Sequence, residues 1–504
     1  MSRLLTILLF VCLGVLHSHA QTRLNVLLIT ADDLGIQVGC YGDKAARTPH
    51  MDQLAKRGVL FENAYVAQAS CSPSRSAMFT GLYPHANGQY GLTNADVGFE
   101  LHESVRPNTI PNLLKKAGYS TAILGKLHVA PENSFQFDQR LRGDTRDVKT
   151  AVHSVGGFIR ECDQPFFVMA NFSDPHVLGR SPRPPKEAFP TQYKGVPEHP
   201  LKVGEVPPFP FQKIETEEQI ARVTQYYNAV SRFDEAVGLL IAELEQAGVA
   251  DSTLILLAGD HGPPFFRSKT TCYEAGVKVP LLAVWPGVFS AGERNPALVS
   301  TVDLLPTILD AAGLPLPQPL HGRSLRHVLE KTQHRGYLAT EFHYHGSAPF
   351  FPRRSLRDAR FKLIHNLRAK VATPVGAVDG DQSLSMSREA AYAGGPVGDA
   401  FNRAAQPPEY ELYDLENDPW EFKNLAESAE HLETLEKLKS ELLAWRNETA
   451  DPLLTEEGMT RMLAYEKPMK RRPADAGKNK NKAKNKQPQA GTGTPTQTAN
   501  SKIK

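Results

Sequence analysis

Cysteine is scarce in this chain. Five residues in 504 cannot form a disulfide scaffold, and a chain this long can bury a core large enough to do without one. Hydrophobic residues at 41% and charged residues at 22% exclude a wholly disordered or fibrous protein. Beyond the first twenty residues no apolar stretch is long enough to span a membrane. No internal repeat is present. The cysteines and histidines lack the spacing of a zinc site. Net charge is also nearly absent, at +2, but unevenly distributed. From Pro468 onward Lys and Arg are opposed by one acid, Asp475, so the preceding body is mildly acidic.

The N-terminus reads as a secretory signal. Arg3 supplies the positive charge, Leu4 to Leu16 the apolar segment, and Ser18-His19-Ala20 the small residues before a cleavage point. A signal peptide over 1–20 implies a secreted or periplasmic protein, or a lysosomal one in a eukaryote. Pro468 to Lys504 is low-complexity and basic, so 467–504 is expected to be a disordered tail.

Between these ends, buried strands alternate with helices. LNVLLIT (24–30), PFFVMANF (165–172), and the runs Ser120 to Leu124, Thr253 to Ala258 and Val279 to Trp285 read as strands. Met51 to Gly58, Thr109 to Gly118 and Thr216 to Gln246 read as helices, the last with Thr216 and Gln219 in capping-box register. This predicts an α/β fold with a large, mostly parallel sheet sandwiched by helices over 21–350. A smaller α+β domain is expected over 351–466, with Ala369 to Pro408 as a Gly/Ala-rich loop and a helix at Leu432 to Trp445. Arg180 to Pro210 is dense in proline and reads as a long surface loop.

Ligands of such sheets sit at the carboxyl ends of the strands. Asp32-Asp33, Asp174 with His176, and Asp260-His261 all follow expected strands. Three acids gathered at one edge repel unless a cation neutralises them, and their hard oxygens suit Ca²⁺ or Mg²⁺. A single Asp in such a place is often a helix cap; a pair after an apolar strand fits that reading less well. His261 is either a ligand or a neighbour. In QASCSPSRSAMFTG (68–81), Cys71 stands in a small-residue loop with Arg75 four positions on. A helix opening near Ser74 would aim its N-terminus at the thiol, favouring anions and lowering the thiol pKa. A buried structural thiol is the plainer alternative.

CSPSRSAMFTG resembles the C-x-P-x-R signature of the sulfatase family, whose cysteine is oxidised to formylglycine. LNVLLITADDLG and LAGDHG resemble its two metal-binding strands, LGKLH its G-K-x-H segment, and YEAGVKVPLL its E-x-G-x-R/K-x-P segment. The resemblance runs from about residue 24 to about residue 455. Within the family, GKLHVAPE, RSLRDARFKLIHNL and ELYDLENDPWEFKNLA are similar to the sulfamidase branch.

The resemblance implies the alkaline-phosphatase-like fold and a set of roles. Asp32, Asp33, Asp260, His261 and the modified Cys71 would bind one divalent metal, calcium or magnesium. Arg75 would orient the formylglycine hydrate, and Lys126 would bridge it to the sulfate. His128 would help deprotonate the hydrate, while His176 and Lys269 would contact the sulfate and protonate the leaving group. His85, Asp174 and His343 are candidate sugar contacts, with a structural role equally open.

Two positions depart from the sulfamidase pattern: His261 stands where that branch has Asn, and Lys269 where it has Arg. The expected substrate is a sulfated carbohydrate, first the N-sulfate of glucosamine in heparan-type glycans. An O-sulfatase is the alternative, and a phosphate or phosphonate hydrolase of the same fold a more distant one. The expected partner is a formylglycine-generating or anaerobic sulfatase-maturating enzyme. A homodimer is also expected, with no membrane span and no nucleic-acid partner.

Overall fold

The central strand β1, Asn25–Ala31, is buried along almost its whole length. Its side chains alternate between two cores, as the two-residue period of a strand requires. In this computed structural model, which describes residues 23–466 other than 94–97, 179–186, 331–334, 347–349, 372–373, 375 and 377, Leu27, Ile29 and Ala31 face one core. That side is covered by the helices Pro49–Arg57, Val148–Glu161 and Glu217–Gln246. Val26 and Leu28 face the other, under the helices Cys71–Thr80, Ile110–Lys116 and Leu304–Ala311. Burial on both faces explains why the strand reads as a continuous apolar run.

The remaining strands of this sheet are β2 (Val59–Tyr65), β3 (Ser120–Gly125), β4 (Gln139–Leu141), β5 (Phe166–Phe172), β6 (Thr253–Gly259), β7 (Leu281–Val284) and β8 (Glu293–Ser300). They lie in the order β4-β3-β5-β1-β6-β7-β2-β8. β3, β5, β1 and β6 are mutually parallel, and β7 runs against both its neighbours. The sheet is therefore mixed but mostly parallel, as expected. The parallel quartet matters most for chemistry, because it brings four strand ends, and four following loops, to one edge.

A second sheet of β9 (Leu338–Phe342), β10 (Arg353–Arg357), β11 (Phe361–Asn366) and β12 (Tyr410–Asp414) is wholly antiparallel. Leu435, Leu438 and Leu442 of the helix Leu432–Glu448 cover it. This unit begins at Leu338, ahead of the expected boundary at 351, because β9 pairs along its length with β10. Ala369 to Pro408 is not a plain loop: it carries the helices Ser383–Met386 and Pro396–Ala405. The second places Ala400, Phe401 and Ala404 at helical spacing on a buried face, with Pro396 at its start. Its small residues resemble loop composition, which hid the pattern. The expected signal peptide, the basic tail and the first part of the proline-rich loop lie outside the described residues. No described helix is long and apolar enough to cross a membrane.

Candidate active site

Each of the four parallel strands delivers its polar residues immediately after its last sheet hydrogen bonds. β1 leads into Asp32 and Asp33, the latter in the left-handed backbone region (φ 71°). β6 leads into Asp260 and His261, and β5 into Asp174 and His176. β3 ends at Gly125 and continues into Lys126 and His128. Gly125 has φ 76°, and a Cβ there would collide with the Asn171 carbonyl of the adjacent strand. Only glycine lets the backbone turn toward the site at that point.

Cys71 occupies the first position of the helix Cys71–Thr80, behind an extended Ser70. The helix starts three residues earlier than its sequence suggests, so the thiol sits in the first turn, at the positive end of the helix dipole. Its Sγ lies 3.3 Å from His261 Nε2 and 3.5 Å from Asp32 Oδ1. Burial opposes ionisation of this thiol, but Lys126 and Lys269 outweigh it and bring the pKa down to about 7.

Arg75 follows one helical turn later and is fully buried. Its Nε donates to Asp260 Oδ2 at 3.0 Å, and its Nη1 donates to Asn171 Oδ1 at 3.2 Å and the Lys126 carbonyl at 3.3 Å. One guanidinium thus ties the loops after β6 and β3 to the end of β5. Asn171 begins a glycosylation sequon but is wholly buried, so the folded protein offers no acceptor there.

Lys126 Nζ donates to Asp32 Oδ2 at 2.6 Å, and Lys269 Nζ donates to Asp33 Oδ1 at 3.0 Å. Burial raises the Asp32 pKa, yet Lys126, His176 and Arg75 hold the carboxyl well below the usual range. Asp260 is pushed up to about 7 by burial and by the neighbouring Asp32. His261 is raised to about 10, with Asp260, Cys71 and Asp33 overcoming its burial. His128 falls to about 3 through burial and the nearby Lys126. His176 uses Nδ1 on the Val177 carbonyl at 2.8 Å, which leaves Nε2 facing Asp33 Oδ2 at 3.9 Å.

Donor atoms of Asp32, Asp33, Cys71 and His261 lie within 4.8 Å of one another, and all four residues are buried. Asp260 stands beside them, its Oδ1 3.8 Å from His261 Nε2 and accepting from the Asp33 amide at 2.8 Å. Three buried carboxylates around one point fit a hard divalent cation.

The three candidate sugar contacts are occupied by protein partners or closed off. Asp174 takes Arg232 through Nε (2.7 Å) and Nη2 (3.1 Å), and Arg146 through Nε (3.1 Å). His85 lies between Glu341 (2.6 Å) and the Thr449 carbonyl (3.1 Å). His343 is fully buried, 3.5 Å from Glu341. The sequence leaves a structural role and sugar contact equally open for all three, and these are the protein neighbours each one has.

Two residues at the site escaped the sequence reading. His345 Nδ1 lies 2.9 Å from Ser70 Oγ, next to the cysteine. Asp379 Oδ2 accepts from Lys269 Nζ at 2.8 Å. Burial works against the Asp379 carboxylate, but Lys269 and His176 hold its pKa well below the usual range. Both come from the second half of the chain, where no strand-end pattern marks them. A lone acid in a Gly-rich stretch carries no signal of its own.

The sulfatase family model matches residues 24–314, and a model of the N-sulphoglucosamine sulphohydrolase C-terminal region matches residues 259–373. The human N-sulphoglucosamine sulphohydrolase is 33% identical over 486 residues, covering 88% of this chain and 93% of that protein. An ulvan-active sulfatase of Formosa agariphila is 29% identical, covering 92% and 89%. A solved structure in complex with its substrate D-glucosamine-2-N,6-O-disulfate superposes with a TM-score of 0.62 at 21% identity, covering 85% of this chain and 99% of that one. A phosphonate monoester hydrolase of Agrobacterium radiobacter gives 0.62 at 20%, covering 85% and 96%, so the fold alone does not choose between sulfate and phosphonate. Members of the matched family use a formylglycine and a divalent metal. With its Cys71–Arg75 signature at the head of a buried helix and its acids gathered beside it, this chain belongs to the sulfatase family and is a sulfohydrolase.

Proposed function

We propose that the protein removes the N-linked sulfate from glucosamine residues of heparan-type glycans. The observation that carries this reading is the 33% identity to the human N-sulphoglucosamine sulphohydrolase across nearly the full length of both chains. In this reading Cys71 is converted to formylglycine by a maturation enzyme, and the protein is exported. Asp32, Asp33, Asp260, His261 and an oxygen of residue 71 hold a calcium ion.

The hydrated aldehyde supplies a nucleophilic hydroxyl and a second hydroxyl for sulfate release, and the ion supplies positive charge beside them. The chain's own residues do the rest. Arg75, anchored on Asp260, holds residue 71 in place from inside the helix. Lys126 and Lys269 stand on either side of the acid cluster, where they stabilise charge gathering on the sulfate oxygens. His176 Nε2 is free of backbone partners and is the proton donor to the departing nitrogen. His128, held neutral, is the base that takes a proton from residue 71.

O-sulfate hydrolysis is the second reading. It is favoured by Lys269, which stands where the sulfamidase pattern has Arg, and by the similarity to the ulvan-active sulfatase. The test is sulfate release from glucosamine sulfated only at N and from glucosamine sulfated only at O6. Release from the first supports the proposal; release from the second alone replaces it with the O-sulfatase reading.

A further inference from the structure

Among the described residues, Asp379 is an acid at this site that belongs neither to the metal cluster nor to any recognised motif. It enters from the segment between β11 and β12, far in sequence from the strand ends it joins. Its Oδ2 is 2.8 Å from Lys269 Nζ. A carboxylate oxygen of Asp379, an imidazole nitrogen of His176 and a carboxylate oxygen of Asp33 lie within 4.8 Å of one another. The side chain remains 20% exposed, whereas Lys269 is 1% exposed. Asp379 is therefore the more solvent-accessible member of the pair. Among the described residues, Oδ1 accepts no hydrogen bond.

The position is well fixed. The Asp379 carbonyl accepts from Arg222 Nη2 at 2.8 Å. Two residues on, Asp381 accepts from the Phe266 amide (2.8 Å), Gln212 Nε2 (3.2 Å) and Gln219 Nε2 (3.1 Å). Gln212 and Gln219 flank the start of the long helix Glu217–Gln246. The carboxylate is thus presented by a loop pinned to the main domain.

We propose that Asp379 is a specificity residue that recognises the nitrogen of an N-sulfated sugar and the ammonium group left when sulfate departs. The inference rests on the N-sulfate reading above and adds the group that discriminates N from O.

The two substrate classes differ at one atom. A sulfamate nitrogen carries a hydrogen that Asp379 Oδ1 can accept; an ester oxygen carries only lone pairs, which a carboxylate repels. The products differ further. Hydrolysis of R–NH–SO₃⁻ by one water breaks the S–N bond and gives R–NH₃⁺ and SO₄²⁻. The water oxygen goes to sulfur, and the nitrogen keeps the bonding pair and gains two protons. Hydrolysis of R–O–SO₃⁻ gives a neutral alcohol, sulfate and a free proton. Only the first product is a cation, and a charge-assisted hydrogen bond to a carboxylate is among the stronger polar contacts. His176, the donor to the leaving atom in this reading, places that nitrogen beside Asp379.

The test uses the matured, metal-loaded enzyme and its Asp379→Asn and Asp379→Glu variants, with melting temperature and metal content checked for each. Two readouts are taken: the ratio of kcat/KM on N-sulfoglucosamine to that on glucosamine 6-sulfate, and inhibition of aryl sulfate hydrolysis by glucosamine and by N-acetylglucosamine. The proposal expects the ratio to drop about tenfold or more in the Asn variant, the size of one charged hydrogen bond. It expects glucosamine to inhibit the wild type about tenfold better than its neutral N-acetyl counterpart. That preference should vanish in the Asn variant and return in part with Glu.

An equal loss on both substrates, or an unchanged glucosamine preference, overturns it: Asp379 then only positions Lys269. A wild-type enzyme that spares N-sulfoglucosamine overturns the substrate reading instead. The inhibition by glucosamine then decides the role of Asp379 independently.

Discussion

Replacing Asp174 by Asn separates a sugar contact from a structural anchor. The Asp174 carboxylate is 1% exposed and accepts three hydrogen bonds from two arginines. Arg232 is itself fully buried on the helix Glu217–Gln246. Removing the carboxylate charge leaves a guanidinium unpaired in the interior, which costs about 3–5 kcal/mol. Arg146, 14% exposed in its side chain, contributes less because water can reach it. For a domain of this size each kcal/mol moves the melting temperature by roughly 1.5 °C or more, so the apparent Tm should fall by about 5 °C.

The damage also reaches the chemistry. Arg146 Nη2 donates to the His176 carbonyl at 2.7 Å, so a loosened Arg146 frees the backbone that aims the imidazole. The expected result is a lower Tm with a lower kcat and a nearly constant KM. Differential scanning fluorimetry and initial rates on an aryl sulfate measure both. A KM raised severalfold with an unchanged Tm would refute this reasoning and make Asp174 a sugar contact. Replacing both Asp174 and Arg232 by Leu should recover part of the lost stability, because no charge is then left unpaired.

Other outcomes follow from the same geometry. Chelation by EDTA should abolish turnover and lower the Tm, and Asp33→Asn should abolish turnover even with calcium in excess, because it removes a charged donor from the cluster. Asp451 accepts from Arg354 at 2.7 and 2.8 Å and from Arg446 at 2.7 Å, and Arg354 holds its carboxyl well below the usual range despite burial. A depressed folded-state pKa contributes stability above the unfolded value of about 3.9, lost as pH falls toward the folded value. Asp451→Asn should therefore destabilise strongly at pH 7 and less at pH 3, read as urea midpoints. Phe401→Ala should cost about 3–5 kcal/mol, since the ring is fully buried. A smaller cost would mean that the helix Pro396–Ala405 packs loosely.

The large sheet and much of its edge were legible in the sequence because both obey local rules. A strand buried on both faces must be a short apolar run, and the loop after it must carry whatever polar group the edge needs. Asp32-Asp33 and Asp260-His261 were read by that rule, whereas Lys126 and His128 entered only through the resemblance to the sulfatase family. The antiparallel course of β7 was not legible, since an apolar run has no direction. The helix Pro396–Ala405 was hidden because Ala and Gly at its buried positions resemble a loop. Asp379 and His345 were missed because tertiary packing alone brings the first to Lys269 and the second to Ser70 beside the cysteine. His85, Asp174 and His343 have the right residue types for sugar contacts. Their partners, Glu341, Thr449, Arg146 and Arg232, lie from two to several hundred residues away, and no local pattern reveals such pairings.

Residue 71 carries the proposed chemistry. Protein produced with a sulfatase-maturation enzyme should be digested and the peptide containing residue 71 weighed, with sulfate release measured on the same sample. The Cys71 CH₂SH group should be replaced by an aldehyde, activity should scale with the converted fraction, and Cys71→Ala should be inactive. Full sulfatase activity from protein whose Cys71 is still a thiol would contradict that chemistry.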